Sequence, residues 1–460
     1  MRISETDVMS GFFWLPQDPD HKIPGNLKIS DGGGIELETV GNFDKEITAF
    51  TDNMALSRIV GHIEKEGYVT LDDCFYRSKN ISLNGISKSK LYVNRLMCGV
   101  QYNQDEVVLF DSFKFSIEGL DEWLNICGIK AEYDFSKKTA SINFISPEEE
   151  VFNLSEQLQL KFTFSWTLPG FPVVTEAKIT QKAFIELSST ESKPLDYFML
   201  MAYKLVNFIC FAIDQTVSIR DVSAKHSDLK REVSNGKFSQ IPIKIYYQSP
   251  LFSEDVAKID WHSMLFKFCQ IKDNAEEIFI NWLNAYDIIE PALNLYFSSK
   301  TGAHKYLNGR FLSLVQGLET YHRRTSKETL MPESEFEDLV SDIVKSSADE
   351  HKEWLIGLLK HGNEINLRKR LKKIINPFKN LVGTNKIRSK IIRNIVNARN
   401  YYTHFNTELE SKVVNDQELW DLCMKMEAIF QLHLLKSVGF ADEQIILIAK
   451  NSHKLKQKLN

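Results

Sequence analysis

Two periods of hydrophobicity divide this chain. Over the first half, apolar and polar residues tend to alternate, the two-residue period of a half-buried strand. "YVTLDDCF", "EVVLFDSFKFSIEGL", "AEYDFSKKTASINFI" and "LQLKFTFSW" carry the pattern, with the β-branched and aromatic residues that suit a pleated surface. "SKK" in the third reads as a hairpin tip, and "GNLKISDGGGIELETVG" as two short strands around a glycine-rich turn. "TLPGFPVV" reads as a loop, because its two prolines remove ladder donors. One apolar helix, from about Pro194 to Ile213, interrupts the strands, and "IPIKIYY" reads as a late strand.

From about Ser253 the period lengthens to three and four residues. "DWHSMLFKFCQI", "AEEIFINWLNAYDIIEPALNLYF" and "KYLNGRFLSLVQGLETYHRR" follow it, as do "EFEDLVSDIVKSS", "IRSKIIRNIVNARNYYTHF" and "ELWDLCMKMEAIFQLHLLKSV". Amphipathic helices without intervening strands describe an all-α bundle. The pattern therefore predicts a multidomain α+β protein, with a β-rich domain over residues 1–255 and a helical region over 256–460.

Composition agrees with this division. The 460 residues exceed one compact core, and 43% hydrophobic with 25% charged residues is a globular balance. A net charge of −5 gives no bulk attraction for nucleic acid, so any such affinity must come from a local patch. Six scattered cysteines without a close pair argue against a disulfide framework or zinc knuckle and fit a cytoplasmic protein. "MRISETDVMSGFFW" has no apolar core of signal-peptide length. "YFMLMAYKLVNFICFAI" approaches membrane-spanning length, yet it contains Lys204 and Asn207 and follows Asp196, which favours a buried helix and no membrane contact. Trp14, Trp123, Trp166 and Trp261 are most simply core residues.

Charge is segregated more sharply than the total implies. From Asn366 to Thr407 there is no Asp or Glu, while Arg368, Lys369, Arg370, Lys372 and Lys373 crowd its start. Such a stretch can recruit phosphates by counterion release, or it can be a solvated face balanced by the acidic "PESEFEDLVSDIVKSSADEHKE" before it.

Within this interval lies "NARNYYTHF". At about 100° per residue, Ile387, Ile391, Ile395, Ala398, Tyr402 and Phe405 form an apolar stripe, and Arg393, Asn397, Asn400 and His404 a polar one, with Arg393 and Asn397, like the cations at 368–373, candidates for RNA contact. Arg399 lies to the side of the polar stripe. It is about 140° from His404, so the two converge only if the helix ends near Thr403 or a second surface closes over them. The residue types suit metal-free RNA cleavage. His404 is the candidate general acid or base, and Arg399 the candidate stabiliser of phosphate charge. Asn400, one turn before His404, would hold the imidazole or donate to a phosphate oxygen. The products would carry 2′,3′-cyclic phosphate and 5′-hydroxyl ends.

The bare spacing of Arg and His is weak, since Arg220 and His226 in "RDVSAKH" also match by chance. Glu319 and His322 in "LETYHRR" read as a surface ion pair or helix end, with Arg323 and Arg324 suited to RNA backbone contact. His351 and His361 lack a third ligand, "DGGG" lacks the context of a dinucleotide site, and neither metal nor cofactor is assigned.

"ARNYYTHF", late in a helical region, resembles the motif of the HEPN superfamily, in which Arg is followed by a polar residue and then His. "GRFLSLVQGLETYHRR" resembles the first long helix of the HEPN domain in ApeA-type abortive-infection proteins of bacteria. "GFFWLPQDPDHKIPGNLKI", "YVTLDDCF" and "SIEGLDEWLNICGI" resemble the β-rich domain that precedes it there. The resemblance implies a HEPN ribonuclease core at about residues 302–440, with Arg399, Asn400 and His404 at its site. It also implies a homo-oligomer whose motif helices meet in a composite site, and RNA, tRNA among the candidates, as the substrate. The expected role is anti-phage defence with a phage-derived trigger, the β-rich domain acting as sensor or inhibitor. Two other readings stay open: a catalytically silent HEPN-type RNA- or nucleotide-binding scaffold, and a purely structural bundle.

Overall fold

The computed structural model describes residues 1–460 apart from 44–54, 81, 83–84, 172–173, 235 and 406. The chain separates into two compact units, Met1–Glu276 and Glu277–Asn460.

The first unit is built on strands. In chain order they are β1 (Asp7–Trp14), β2 (Ile23–Ser30), β3 (Gly34–Val40), β4 (Ala55–Ile63), β5 (Gly67–Asn80) and β6 (Lys88–Cys98). Next come β7 (Leu109–Ile117), β8 (Ile129–Asp134), β9 (Thr139–Phe144), β10 (Glu150–Asn153), β11 (Leu158–Thr167) and β12 (Thr180–Pro194). The last four are β13 (Ile219–Lys225), β14 (Lys230–Ser234), β15 (Lys237–Gln240) and β16 (Ile243–Tyr247). Strands β1 to β6 close on themselves in the order β1-β2-β3-β6-β5-β4, every pair antiparallel, and β4 returns to β1. Closure leaves no free edge around this barrel. Alternation fills it: Ile35 and Leu37 point inward on β3 while Glu36 and Glu38 face outward, and Phe13, Leu27, Ile59, Leu71 and Leu91 complete the core.

The turn between β2 and β3 shows why "DGGG" is glycine-rich. Gly32 and Gly33 both have positive φ, and a Cβ on Gly33 would lie 2.1 Å from the Tyr247 carbonyl oxygen. The β8–β9 hairpin turns at Ser136–Lys138, as the sequence predicts. "TLPGFPVV" has no regular structure beyond Thr167, although its Pro172 and Val173 lie outside the described residues.

Strand β16 pairs with β6 and carries the sheet outward through β13, β7, β12 and β11 to β10. Two helices lie on this extension, α1 (Leu120–Leu124) and the apolar α2 (Leu195–Ile213). α2 is long and apolar enough to cross a membrane, but 67% of that window is buried inside the protein. Phe198 stacks on Phe113 of β7 at 5.9 Å, and Trp123 packs against Phe162, Phe208 and Phe268. Trp14 and Trp123 are core residues, whereas Trp166 and Trp261 are exposed, contrary to expectation.

One predicted helix is absent. "DWHSMLFKFCQI" holds only short 3-10 turns, at Trp261–Ser263 and Phe268–Gln270. Between them the backbone amides of Leu265 and Phe266 donate to the carbonyl of Ala212 at 2.9 and 3.3 Å, and Trp123 Nε1 donates to the Phe266 carbonyl at 3.1 Å. The apolar run therefore spends its hydrogen bonds on the end of α2 instead of on itself. Tertiary pairing overrides the local period.

The second unit is helical: α3 (Ala275–Ser298, beginning in the first unit), α4 (Leu307–Thr325), α5 (Glu333–Lys345), α6 (Asp349–Leu359), α7 (Leu367–Ile375) and α8 (Lys379–Val382). Then follow α9 (Asn385–His404), α10 (Thr407–Glu410), α11 (Asp416–Ser437), α12 (Asp442–Asn451) and α13 (His453–Leu459). α3 bends at Ile289, just before Pro291, which cannot donate to the helix ladder. α4 packs against α7, α9 and the mostly buried α11. Gly317 permits that approach, since a Cβ there would sit 3.2 Å from Phe430. Glu427 is buried in the same core and accepts from Arg310 Nη2 at 2.7 Å, Lys300 Nζ at 2.9 Å and Lys458 Nζ at 2.7 Å. Despite burial, which opposes ionisation, these cations hold its carboxyl well below the usual range.

Candidate active site

Helix α9 is delimited by chemistry at both ends. The Thr384 hydroxyl accepts from the Ile387 amide at the start, and the last helical residue is His404. Phe405 then turns the chain in the left-handed region, at φ 49°, a conformation that costs an L-residue about 1–2 kcal/mol. The helix thus ends one residue past Thr403, and His404 stands at its rim. Ile391, Ile392, Ile395 and Ala398 are buried. Ile387 and Phe405, expected on the apolar stripe, are exposed because they lie in the first and last turns, beyond the reach of the packed core. Phe405 is 61% exposed and packs only its ring edge near Tyr401 and Tyr402.

Arg399 faces α4. With Tyr402 and Thr403 it lines a cavity of about 560 Å³ whose opposite wall carries Gln316, Glu319, Thr320 and Arg323. Arg399 Nη1 donates to Asn400 Oδ1 at 3.3 Å, and Thr403 Oγ1 donates to the Arg399 carbonyl at 2.7 Å. Arg323 is neutralised by Glu319 at 3.1 Å and by Glu364. Among the described residues no carboxylate reaches Arg399 within ion-pair distance, so its charge remains available to an anion.

The structure brings Arg399 and Asn400 together but does not bring His404 to them. His404 is exposed, lies outside the Arg399 cavity, and its side chain makes no hydrogen bond among the described residues. Asn397 is half-buried and Arg393 exposed on α9. Of the basic stretch, Arg368, Lys369, Lys372 and Lys373 are exposed on α7, and Lys373 pairs with Glu328 at 3.0 Å. Arg370 departs from that surface. It is 4% exposed, donates toward His322 Nδ1 at 3.4 Å and faces Glu364 at 3.4 Å, so it serves the α4–α7 contact and not an RNA surface. The sequence pattern misses it because the apolar stripe of α7, with Leu371, Ile374 and Ile375, draws its neighbour inward.

His322 is likewise buried and not a surface partner of Glu319, which pairs with Arg323 one turn on. Burial, then the Arg370 charge, pushes its imidazole below the ordinary value. Burial also lowers His433 to about 4, with its Nε2 donating to the Ile374 carbonyl at 2.8 Å. Both rings are buried within the helical unit.

The α4 wall of the cavity is legible as Leu312, Val315, Gln316, Glu319, Thr320 and Arg323, one helical face that turns from apolar to polar. Only Glu319 and Arg323 drew notice in the sequence. Elsewhere, Arg220 sits within β13 and faces Asp121 at 3.8 Å, with no hydrogen bond to His226 among the described residues. Ser192, His226 and Asp228 have the residue types of a hydrolytic triad. However, Ser192 donates to Asp111 at 2.6 Å, and the Asp228 carboxylate stands 3.7 Å from His226 Nδ1, beyond hydrogen-bond distance, so neither the serine nor the carboxylate is held as a triad requires.

Comparison with known families matches residues 9–282 to the ApeA N-terminal domain 1 and residues 312–444 to the Apea-like HEPN domain. The first match extends through the non-helical segment at 261–270, and the second encloses both walls of the Arg399 cavity. No curated protein and no solved structure matches.

Proposed function

The chain belongs to the ApeA family, an ApeA N-terminal domain followed by a defence-related HEPN domain, and on that premise we propose that it is a metal-independent endoribonuclease of the cytoplasm. His404 takes the proton of a ribose 2′-hydroxyl as the 2′-oxygen bonds to phosphorus, and the phosphorus–5′-oxygen bond breaks. A proton delivered to the leaving 5′-oxygen completes the transfer, leaving a 2′,3′-cyclic phosphate and a 5′-hydroxyl. Arg399 stabilises the charge on the phosphoryl oxygens with its planar donor fork, and Asn400 holds the guanidinium in position.

The observation that carries this reading is an arginine without a carboxylate partner, lining a cavity in the last turns of a helix that ends on an exposed histidine, within an acid-free stretch. Because Arg399 and His404 diverge by about 140° on the helix, one chain does not complete the constellation. HEPN domains often dimerise, and a second copy presenting its own helix end would supply the missing group. The β-rich unit, joined to the nuclease in one chain, is the natural place for a phage-derived trigger to act, and structured RNA such as tRNA the natural substrate.

Substitution tests the assignment. His404→Ala should reduce cleavage by about 10²- to 10⁴-fold and Arg399→Ala by about 10²- to 10³-fold. Both should melt within about 0.5 kcal/mol of wild type, since neither is in the core. Loss of cooperative melting in both, in place of loss of cleavage alone, would mark a structural role instead.

A further inference from the structure

A second cavity lies on the same unit, between α7 and α9. Its volume is about 450 Å³, and its polar lining is Arg368, Lys369, Lys372, Asn376, Asn385, Arg388 and Ser389. Four cations face it and, among the described residues, none of the four meets a carboxylate at ion-pair distance. Arg388 is anchored, donating to the carbonyls of Lys379 at 3.1 Å and of Gly383.

Two features set this cavity apart from an ordinary solvated basic face. The first turns of α7 and α9 contain no acid at all, although cations there oppose the helix dipole by about 0.3–1 kcal/mol each. Glu333 and Glu335 open α5 and Asp416 and Glu418 open α11 in the usual way, whereas α4 and α13, like α7 and α9, open without an acid. An anion in the cavity reverses that unfavourable sign. The second feature is alignment. Arg388 and Arg399 are eleven residues apart on α9, so they fall within about 20° of one line and about 16 Å along the axis. The α7–α9 cavity and the Arg399 cavity are therefore lined from one side of the same helix.

We infer that the α7–α9 cavity is a phosphate subsite that grips the RNA backbone at a fixed offset from Arg399, and so sets where along the strand the cut falls. The offset corresponds to about three to five nucleotides, at about 3.4 Å per stacked nucleotide and more when extended. The inference rests on the ribonuclease reading for its cutting register but not for its binding.

The test uses the full chain and a 12-nucleotide single-stranded RNA methylated at every 2′-oxygen, which binds without being cut. Wild type is compared with Arg368→Gln/Lys369→Gln/Lys372→Gln. A control, Lys345→Gln/Lys360→Gln/Lys412→Gln, removes the same charge from exposed lysines elsewhere on the unit. The cavity variant should bind at least tenfold more weakly at low salt, with a log–log salt slope reduced by about 2, three contacts at about 0.7 each. Equal affinity and slope, or an equal loss in the control, would overturn the subsite. ATP binding that the cavity variant loses, while RNA binding stays intact, would overturn it too by marking a nucleotide site. On cuttable RNA, trimming one side of the cut below about three nucleotides should slow wild type at least tenfold and leave the cavity variant indifferent. Length-independent cutting by wild type would overturn the register. If wild type cuts nothing, the ribonuclease reading fails, while the methylated RNA still decides the subsite.

Discussion

At the scale of single residues, the chemistry depends on where charge is left unanswered. Arg399 has a neutral amide for company, while Arg323 across the cavity is held by two carboxylates. Asn400→Ala should therefore slow cleavage less than Arg399→Ala, by about tenfold, because a neutral hydrogen bond that orients the guanidinium is worth about 1–1.5 kcal/mol; equal losses in steady-state assays would give Asn400 a direct role. The sequence makes Arg399, Asn400 and His404 visible because residue type and spacing survive without coordinates. It does not reveal that Arg370 is buried, since five neighbouring cations look alike until Glu364 and His322 select one of them. Buried histidines give a further prediction. The unfolded chain takes up a proton near the ordinary 6.5, whereas folded His433 does so at about 4. Between those values the unfolded state holds more protons, so stability falls as pH drops from 6.5 toward 4, by up to about 3 kcal/mol. Urea melts at pH 7.5, 6 and 5 should show that slope, shallower in His433→Gln; an unchanged slope in the variant would place the linkage elsewhere, His322 being next in line.

At the scale of elements, the helices that line the site were readable and the ones that fail are instructive. α4 and α9 bury one face each, and α4 packs it against both α9 and α11, whereas α11 is buried on nearly every side through its second half. "DWHSMLFKFCQI" has an equally good period but no helix, because the Ala212 carbonyl and Trp123 claim its backbone. No local pattern encodes a partner fifty residues away. The α4–α11 contact makes its own prediction. Glu427→Gln leaves Lys300, Arg310 and Lys458 facing a buried neutral group, and should destabilise the helical unit by about 3–5 kcal/mol in chemical denaturation. A change below 1 kcal/mol would mean that the three cations hold one another apart at little cost.

At the scale of the whole molecule, the change of period near Ser253 marks two kinds of structure, but the first compact unit runs on to Glu276, because the segment after Ser253 pairs with the end of α2, and the barrel is not legible at all. Strand alternation specifies which face is buried and is silent on which strand returns to β1, since closure through β4 depends on twist and loop length. The claim that one chain leaves its site incomplete belongs at this scale as well. Mixing inactive Arg399→Ala with inactive His404→Ala should restore part of the cleavage when subunits exchange; no recovery in a verified mixed oligomer would place both groups in one chain. The most direct test of the central claim is to incubate purified wild type and His404→Ala with total cellular RNA in excess EDTA and map the cut ends. Cuts bearing 2′,3′-cyclic phosphate and 5′-hydroxyl ends, made by wild type alone, are the predicted result. Cutting by both proteins alike, or ends bearing 5′-phosphate, would contradict it.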